Sequence, residues 1–485
     1  MDPHPRLREH HLFERMGRIL LYNVATMVFY EVTPAVRAVV VALGNQRSYS
    51  LGDRIRRRTS RRETRDALEY LRREHFLACD GESVTPPPQQ PRRGVRHLEL
   101  MVTHACNMRC RYCYGAHGEP GFDTAPHLYG ATSSGMTMET ARRGVDFLFD
   151  ASGRCRDLGL VFFGGEPLVA RRLIEQVVPY VRAKEAATGK KVSMSLSTNG
   201  SLLDREVVDF LVRNRIGCQV SIDGPKSLQD TNRPLRGGLA SYESVVPRVR
   251  ELLRARPGAV PARATLAHGA IDVPAVVEHL LSLGFGSVQV EPCIGEPAET
   301  AVTAADVDRV LEQQEQLAAA LVANVRRGRR LPYTNLVRLV RQTRVVRQRL
   351  THYCGAARSY IALSQDGAFY PCHRFVGMPE YRMGDLDSGL DGALQRRIVD
   401  LTVDRRPGCR DCWARYLCGG GCWKHAVDAH GSLETPDTER SCRILRHALE
   451  CAMAVNAELA VSDADVLSQP SSRPEPRAAS AGARL

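Results

Sequence analysis

Six β-type runs recur between residues 98 and 292: LELMVT, LGLVFF, VSMSLS, GCQVSID, ARATL and SVQVEP, each followed by a helical stretch or a polar loop. Consecutive strands that run in the same direction need a crossover of helical length, so this alternation predicts parallel βα units. Six such units predict a partial barrel, whose active-site loops sit at the C-terminal ends of the strands. Chemistry is therefore to be sought in the residues that follow each strand.

The flanks read differently. Residues 18–32, RILLYNVATMVFYEV, predict two short strands joined by a tight polar turn around Asn23. After Pro34, AVRAVVVAL and RRETRDALEYLRREHFL carry helical spacing, with an apolar exit at Phe76 and Leu77. ESVTPPPQQPRRG, residues 82–94, has three consecutive prolines and no period, which predicts a semi-rigid linker. The last residues, 468–485, are rich in Ser, Pro, Ala and Arg and are expected to have no fixed structure.

At 485 residues the chain exceeds what one hydrophobic core usually serves, so two or three domains are expected. Apolar residues at 43% and charged residues at 25% suit a folded protein, and no run approaches the roughly 20 apolar residues of a membrane span. The opening MDPHPRLREHHLFERMGRIL lacks a signal-peptide core, which points to the cytoplasm. In that reducing compartment 15 cysteines read as metal ligands rather than disulfides. The net charge of +13 favours an anionic partner. Its basic residues are spread along the chain without a nucleic-acid motif, so an acidic peptide fits and nucleic acid is not expected.

Directly after the first strand comes CNMRCRYC, which places Cys106, Cys110 and Cys113 on one loop. Three thiolates ligate three irons of a 4Fe-4S cubane and leave the fourth open. Such an iron can chelate S-adenosylmethionine (SAM), so that one electron breaks a carbon–sulfur bond and releases a 5′-deoxyadenosyl radical. The alternative is a structural zinc or an electron-carrying cluster. A four-cysteine structural site needs its fourth ligand nearby, whereas the next cysteine, Cys155, lies beyond a helical segment.

With Tyr112 before its third cysteine, the motif resembles the signature of the radical SAM superfamily. Gly164, Gly165 and Glu166 in FFGGEP resemble the family's glycine-rich loop, where exposed backbone is expected to meet the SAM amino group. Ser197, Thr198 and Asn199 end the third strand, and Ser221, Ile222 and Asp223 the fourth, where the family places SAM ribose and carboxylate contacts. Arg263, in ARATL, is expected to pair with the SAM carboxylate. Taken singly, Ser-Thr-Asn-Gly and Asp-Gly-Pro are ordinary turn formers; their order along the chain carries the resemblance.

Farther on, Cys354 and Cys372 are followed by Cys409-x2-Cys412-x5-Cys418-x3-Cys422 and then by Cys442. This array resembles the SPASM extension of radical SAM enzymes that act on peptides and proteins, a module with two auxiliary 4Fe-4S clusters. The resemblance assigns Cys409, Cys412, Cys418 and Cys442 to one cluster and Cys354, Cys372 and Cys422 to the other, which is left one ligand short. An open iron there would take a substrate thiolate; water or another residue is the alternative. Zinc also suits thiolate tetrads, and metal analysis separates the two. Cys79, Cys155, Cys218, Cys293 and Cys451 receive no role, since isolated cysteines behave as small buried hydrophobes; Cys293, just after a strand end, is the one to watch.

The SPASM family includes sulfatase maturases, which make formylglycine, and maturases of ribosomally made peptides, which form thioether or carbon–carbon crosslinks. Sulfatase maturases carry an aspartate just after the second auxiliary-cluster cysteine; here that position is His373. His373 is a candidate for proton handling, because imidazole titrates near neutrality, or else a hydrogen-bonding residue beside a cluster. The N-terminal hairpin and helices resemble the winged-helix-like element with which peptide maturases capture a leader segment. SIDGPKSLQDTNRPLRGGLASYESVVPR, ARATLAHGAIDVPAVVEHLLSLGFGSVQVEP and AFYPCHRFVGMPEYRMGD resemble parts of thioether-forming maturases of cysteine-rich precursor peptides and of the quinohemoprotein amine dehydrogenase small subunit.

The resemblance implies an α/β fold: a winged-helix-like leader-recognition domain at 1–81, the linker at 82–94, a partial (β/α)6 radical SAM barrel at 95–335, a SPASM domain at 336–455 and the tail. It implies an intrapeptide thioether crosslink on a precursor peptide, with a flavodoxin- or ferredoxin-type electron donor. Carbon–carbon crosslinking, epimerisation and sulfatase-type oxidation stay open as alternatives, as does a non-enzymatic peptide-binding or electron-transfer protein.

Overall fold

The strand-like alternation near the N-terminus builds a sheet whose two faces serve two cores. In the computed structural model, which describes residues 6–44, 59–78, 85–89, 94–116, 129, 135–269, 271–295, 298–345 and 348–459, the chain opens with β1 (Arg6–Leu7), β2 (His10–Arg15), β3 (Arg18–Asn23) and β4 (Val28–Glu31). The order β2-β3-β4 is antiparallel throughout. The expected hairpin is β3–β4, and Asn23 anchors its turn by accepting from the backbone N–H groups of Ala25 and Thr26. β2 was not expected, because HHLFER carries little β-branched content. Period-two geometry sends Leu21 into a small core with Val39, Val40, Leu71 and Phe76, while Leu20 and Tyr22 join the main core.

Both expected helices of this region form, at Pro34–Gly44 and Arg61–Arg73. Pro34 occupies the first turn, where its missing N–H costs nothing. Ser60 and Glu63 make a capping box at the second helix. β5 (Leu77–Ala78) returns antiparallel to β1. Much of the linker, Cys79 and the tail at 468–485 lie outside the described residues.

All six anticipated barrel strands are present: β6 (His97–Thr103), β7 (Asp157–Gly164), β8 (Lys191–Thr198), β9 (Gly217–Ser221), β10 (Pro261–Leu266) and β11 (Ser287–Pro292). They pair in parallel in chain order. Leu98, Leu100, Leu160, Phe162 and Val220 are fully buried beneath the crossover helices, each side chain contributing about 1.5–3 kcal/mol of burial. Thr137, Asp204, Asp272 and Thr303 cap helices that follow β6, β8, β10 and β11.

The cysteine-rich region is not a separate layer. β12 (Tyr360–Leu363) pairs in parallel with β6 on the edge opposite β7, and β13 (Phe369–Tyr370) pairs antiparallel with β12, so one eight-stranded sheet runs β11-β10-β9-β8-β7-β6-β12-β13. The helix Thr334–Arg344 crosses the expected boundary at 335/336. The long C-terminal helix Ser441–Glu458 packs against it, against Ala304–Arg326 and against the N-terminal sheet. Arg15 and His11 pair with Glu450, and Arg18 with Glu458. No helix among the described residues is long and apolar enough to cross a membrane.

Candidate active site

β6 ends at Thr103, and the chain turns into the loop that carries Cys106, Cys110 and Cys113. All three line one cavity of about 330 Å³ at the C-terminal ends of the strands. The loop is strapped on three sides. The Gly165 and Glu166 N–H groups donate to Thr103 O and Ala105 O, Asn199 Nδ2 donates to Asn107 Oδ1 at 2.9 Å, and the Arg109 and Arg111 N–H groups donate to Pro234 O and Asn232 O.

Glycine is required at the β7 turn. A Cβ at Gly165 would lie 2.3 Å from Ala105 O and 3.0 Å from Cys106 Cβ, and one at Gly164, where φ is +148°, would lie 2.0 Å from Thr103 O. The nearest atom at each position is a backbone oxygen, so only glycine lets β7 pass this close to the cysteine loop.

Gly164, Gly165, Glu166, Ser197, Thr198, Asn199, Ser221 and Arg263 line the cavity together with the three cysteines. Glu166 is buried; its carboxylate accepts from Thr198 Oγ1 at 2.8 Å, the Asn199 N–H at 2.7 Å and the Leu168 N–H at 3.1 Å. Burial pushes its pKa up to about 7, against the pull of those donors. Tyr112 is also on the wall, its OH donating to Asp223 Oδ2 at 2.6 Å. Asp223 itself, fully buried, stands behind Tyr112 rather than on the wall and accepts from the Thr265 N–H.

Sequence reasoning passed over Arg233. Its guanidinium lies on the wall, donates to the Tyr112 OH at 2.8 Å and sits 3.9 Å from Asp223. Nothing in TNRPLR marks that arginine as buried; its nearness to SIDGP was the one available signal.

The cavity extends past the barrel to His373, Arg374, Cys422 and His425 of the C-terminal region. His373 Nδ1 is 2.8 Å from Glu99 Oε2 and 3.0 Å from the Tyr360 OH, which also bonds Glu99. Phe163 packs over the ring with centroids 4.5 Å apart. Glu99, a lone acid in the buried strand LELMVT, and Tyr360 on β12 are therefore what orient His373.

The structure groups the remaining cysteines. Burial pushes the Cys442 thiol up to about 12 and Cys418 to about 11; Cys409 and Cys412 add to both shifts, and Cys418 adds to that of Cys442. Cys372 is raised first by burial, then by Cys422 and Cys354. Within the barrel loop Cys106 is raised by burial and then by Cys110, with Cys113 contributing. These thiol–thiol influences fall within the sets 106/110/113, 409/412/418/442 and 354/372/422 that the sequence suggests, while Cys422 also shares a cavity with Cys418 and Cys442. Burial alone keeps such thiols protonated, and a bound cation is what makes them thiolates.

The donor sets fit iron–sulfur clusters. No group of three or more cysteine, histidine or acidic side chains among the described residues is arranged to hold a metal ion, and the fit to iron–sulfur clusters rests on the all-cysteine chemistry of the three sets. Cys418, Cys422 and Cys442 face a second, more enclosed cavity of about 100 Å³ floored by Gly420 and Gly421. Arg406, 1% exposed, lies over the Trp423 ring among Cys409, Cys442, Cys418 and Cys422, and its buried Nη2 has no hydrogen-bond partner. A buried guanidinium would be well placed beside a cluster that its thiolates left negative. Cys155, Cys218 and Cys451 stand outside these sets, while Cys293 lines the main cavity with its Sγ 3.7 Å from Thr300 Oγ1.

Comparison with known proteins identifies the domain that carries the first cysteine loop. Residues 100–269 match the Radical SAM superfamily. The chain is 26% identical over 370 residues to the serine-type anaerobic sulfatase-maturating enzyme of Klebsiella aerogenes, covering 72% of this chain and 85% of that one. It is 22% identical over 376 residues to the PqqA peptide cyclase of Granulibacter bethesdensis, covering 74% and 90%. Its fold is similar to that of native anSMEcpe with bound AdoMet and Cp18Cys peptide, at a TM-score of 0.61 and 20% identity over 77% of this chain and 99% of that one. Residues 100–269 thus form a radical SAM domain, and the chain is an enzyme that works through that domain, whose cofactors are a 4Fe-4S cluster and SAM.

Proposed function

We propose that this enzyme modifies a ribosomally synthesised precursor peptide by closing an intrapeptide thioether between a cysteine sulfur and an unactivated carbon. The observation that carries this reading is the single cavity that runs from Cys106, Cys110 and Cys113 to His373 and Cys422. A peptide residue seated in it would face the SAM site at one end and Cys422, one member of the cysteine set that lacks a fourth ligand, at the other.

When bound, the cluster and SAM supply a hydrogen-abstracting 5′-deoxyadenosyl radical. The chain's part is to place and to shield. Glu166, Asn199 and Arg233 rigidify the walls around the SAM site, and Tyr112 backs it. His373, held at Nδ1 by Glu99, presents its other ring nitrogen to accept the thiol proton. Cys354, Cys372 and Cys422 would hold one auxiliary cluster, and Cys409, Cys412, Cys418 and Cys442 would hold the other.

The N-terminal domain suits capture of an acidic leader. The outer edge of β4 pairs with no strand among the described residues, and the neighbouring helix Arg61–Arg73 exposes Arg62 and Arg65. Strand addition there supplies backbone hydrogen bonds with little demand on sequence. A flavodoxin- or ferredoxin-type protein in the cytoplasm is the matching electron donor.

Sulfatase-type oxidation is the second reading, favoured by the similarity to sulfatase-maturating enzymes. The test is anaerobic reconstitution with candidate peptides. Mass loss of two hydrogens with a cysteine that resists alkylation supports the thioether. An aldehyde supports formylglycine, and the same mass loss with alkylatable cysteines means a carbon–carbon bond. Retention of 5′-deoxyadenosine formation by Cys106→Ala would overturn the assignment of the SAM site.

A further inference from the structure

Arg374 occupies the wall between the SAM site and the 354/372/422 set. Its Nη1 donates to Cys422 Sγ at 3.7 Å, its guanidinium lies 5.4 Å from the Tyr114 ring centroid, and its Nη2 is 3.6 Å from Asp428 Oδ2. Its Nε is buried without a partner. The side chain is anchored from behind. Asp428 pairs closely with Lys424 and fits against Gly295, where a Cβ would lie 2.5 Å from the Asp428 side chain. The result is a fixed cation aimed at a cysteine sulfur, with a donor to spare.

We propose that Arg374 sets the reduction potential of the cluster held by Cys354, Cys372 and Cys422, raising it so that this cluster takes up the electron released on bond formation. The inference rests on the reading of those cysteines as a cluster site. Closing a thioether joins a thiolate, which brings two electrons, to a carbon that has lost a hydrogen atom and brings one. The new C–S bond keeps two, so one electron must leave; 5′-deoxyadenosine carries away the hydrogen atom, and the thiol proton has gone to a base. A reduced cluster carries one more negative charge than an oxidised one. A guanidinium donating to a ligand sulfur therefore favours the reduced form, and hydrogen bonds to the sulfurs are a recognised determinant of such potentials.

The test is an EPR-monitored redox titration of the reconstituted full-length enzyme and its Arg374→Met, Arg374→Gln and Arg374→Lys variants. The cluster is identified as the one whose signal Cys422→Ala removes. The two neutral variants are expected to lower that midpoint and leave the others in place, Arg374→Lys to fall between, and 5′-deoxyadenosine formed per crosslink to rise several-fold in the neutral pair. Full iron content with unmoved midpoints in both neutral variants overturns the proposal, as does a lysine variant that matches them, because charge is then not the cause. A Cys422→Ala enzyme with undiminished iron and all its EPR signals overturns instead the cluster reading beneath it.

Discussion

The imidazole of His11 lies flat against the indole of Trp413, with ring centroids 4.0 Å apart and planes within 4°. Trp413 directly follows Cys412, so β2 of the N-terminal sheet rests on a cysteine loop of the distant C-terminal region. Arg415, at the start of the short helix Arg415–Cys418 that follows, pairs with Glu9.

Replacing His11 with alanine removes that stack and the contact to Glu450. A loss of about 1–2 kcal/mol is expected at this seam. The chain has only two tryptophans, and Trp423 is 2% exposed, so a red-shifted emission in His11→Ala would report Trp413. An unchanged spectrum and unchanged proteolysis between the domains would mean that the stack is not what docks them.

Gly165→Ala places a methyl against the backbone oxygen of Ala105 and the Cβ of Cys106. Neither neighbour is the end of a flexible side chain, so the cysteine loop has to move. Loss of most SAM cleavage and of the cluster's iron is expected, with far-UV circular dichroism preserved. Wild-type 5′-deoxyadenosine formation would show that the β7 turn tolerates a side chain.

Glu99→Gln leaves the strand intact and weakens the hold on His373 Nδ1. Carboxylates that orient metal-bound histidines account for roughly 10- to 100-fold, and Glu99 holds His373 in the same manner. Crosslinked product is expected to fall by about that range while 5′-deoxyadenosine continues to form, as read by mass spectrometry. An equal fall in both would assign Glu99 to the SAM site instead.

His447 lies at the seam of the helices Ala304–Arg326 and Ser441–Glu458. Its Nδ1 is 2.8 Å from Gln314 Oε1, and burial, with help from Arg15, lowers its pKa from 6.5. His97 and His279 are lowered by burial too. As pH falls below 6.5 the unfolded chain takes up protons that the folded chain refuses, so stability present at neutral pH is lost on acidification. The melting temperature should drop between pH 7 and pH 5.5, and His447→Gln should flatten that slope. A flat profile in the parent would be the contrary result.

The barrel strands were legible because parallel strands buried on both faces, such as LGLVFF, are nearly continuous apolar runs. The radical SAM cysteines were legible because a metal motif is a local spacing. β2 was not, since its partner strand and the C-terminal helix, rather than its own residues, make HHLFER a strand. Arg233, Arg374 and Arg406 were invisible for a related reason: an arginine buried beside a cysteine and one on the surface look alike in a sequence, and only tertiary packing tells them apart. Glu99 did carry a signal, a charge inside an apolar strand, which went unread. Asp223 reaches the site through Tyr112, Arg233 and Thr265, a layering that linear order does not encode.

The pairing of β12 with β6 bears on how this enzyme can be taken apart. A truncation that ends the chain before residue 360 would strip the partner from Leu98–Leu100 and bare a row of backbone donors and acceptors beside a hydrophobic face, the kind of edge that recruits a second chain. The cysteine-rich region is therefore not a detachable cassette. A chimera that borrows another enzyme's auxiliary-cluster region has to borrow the strand with it, in register, or accept an aggregating barrel.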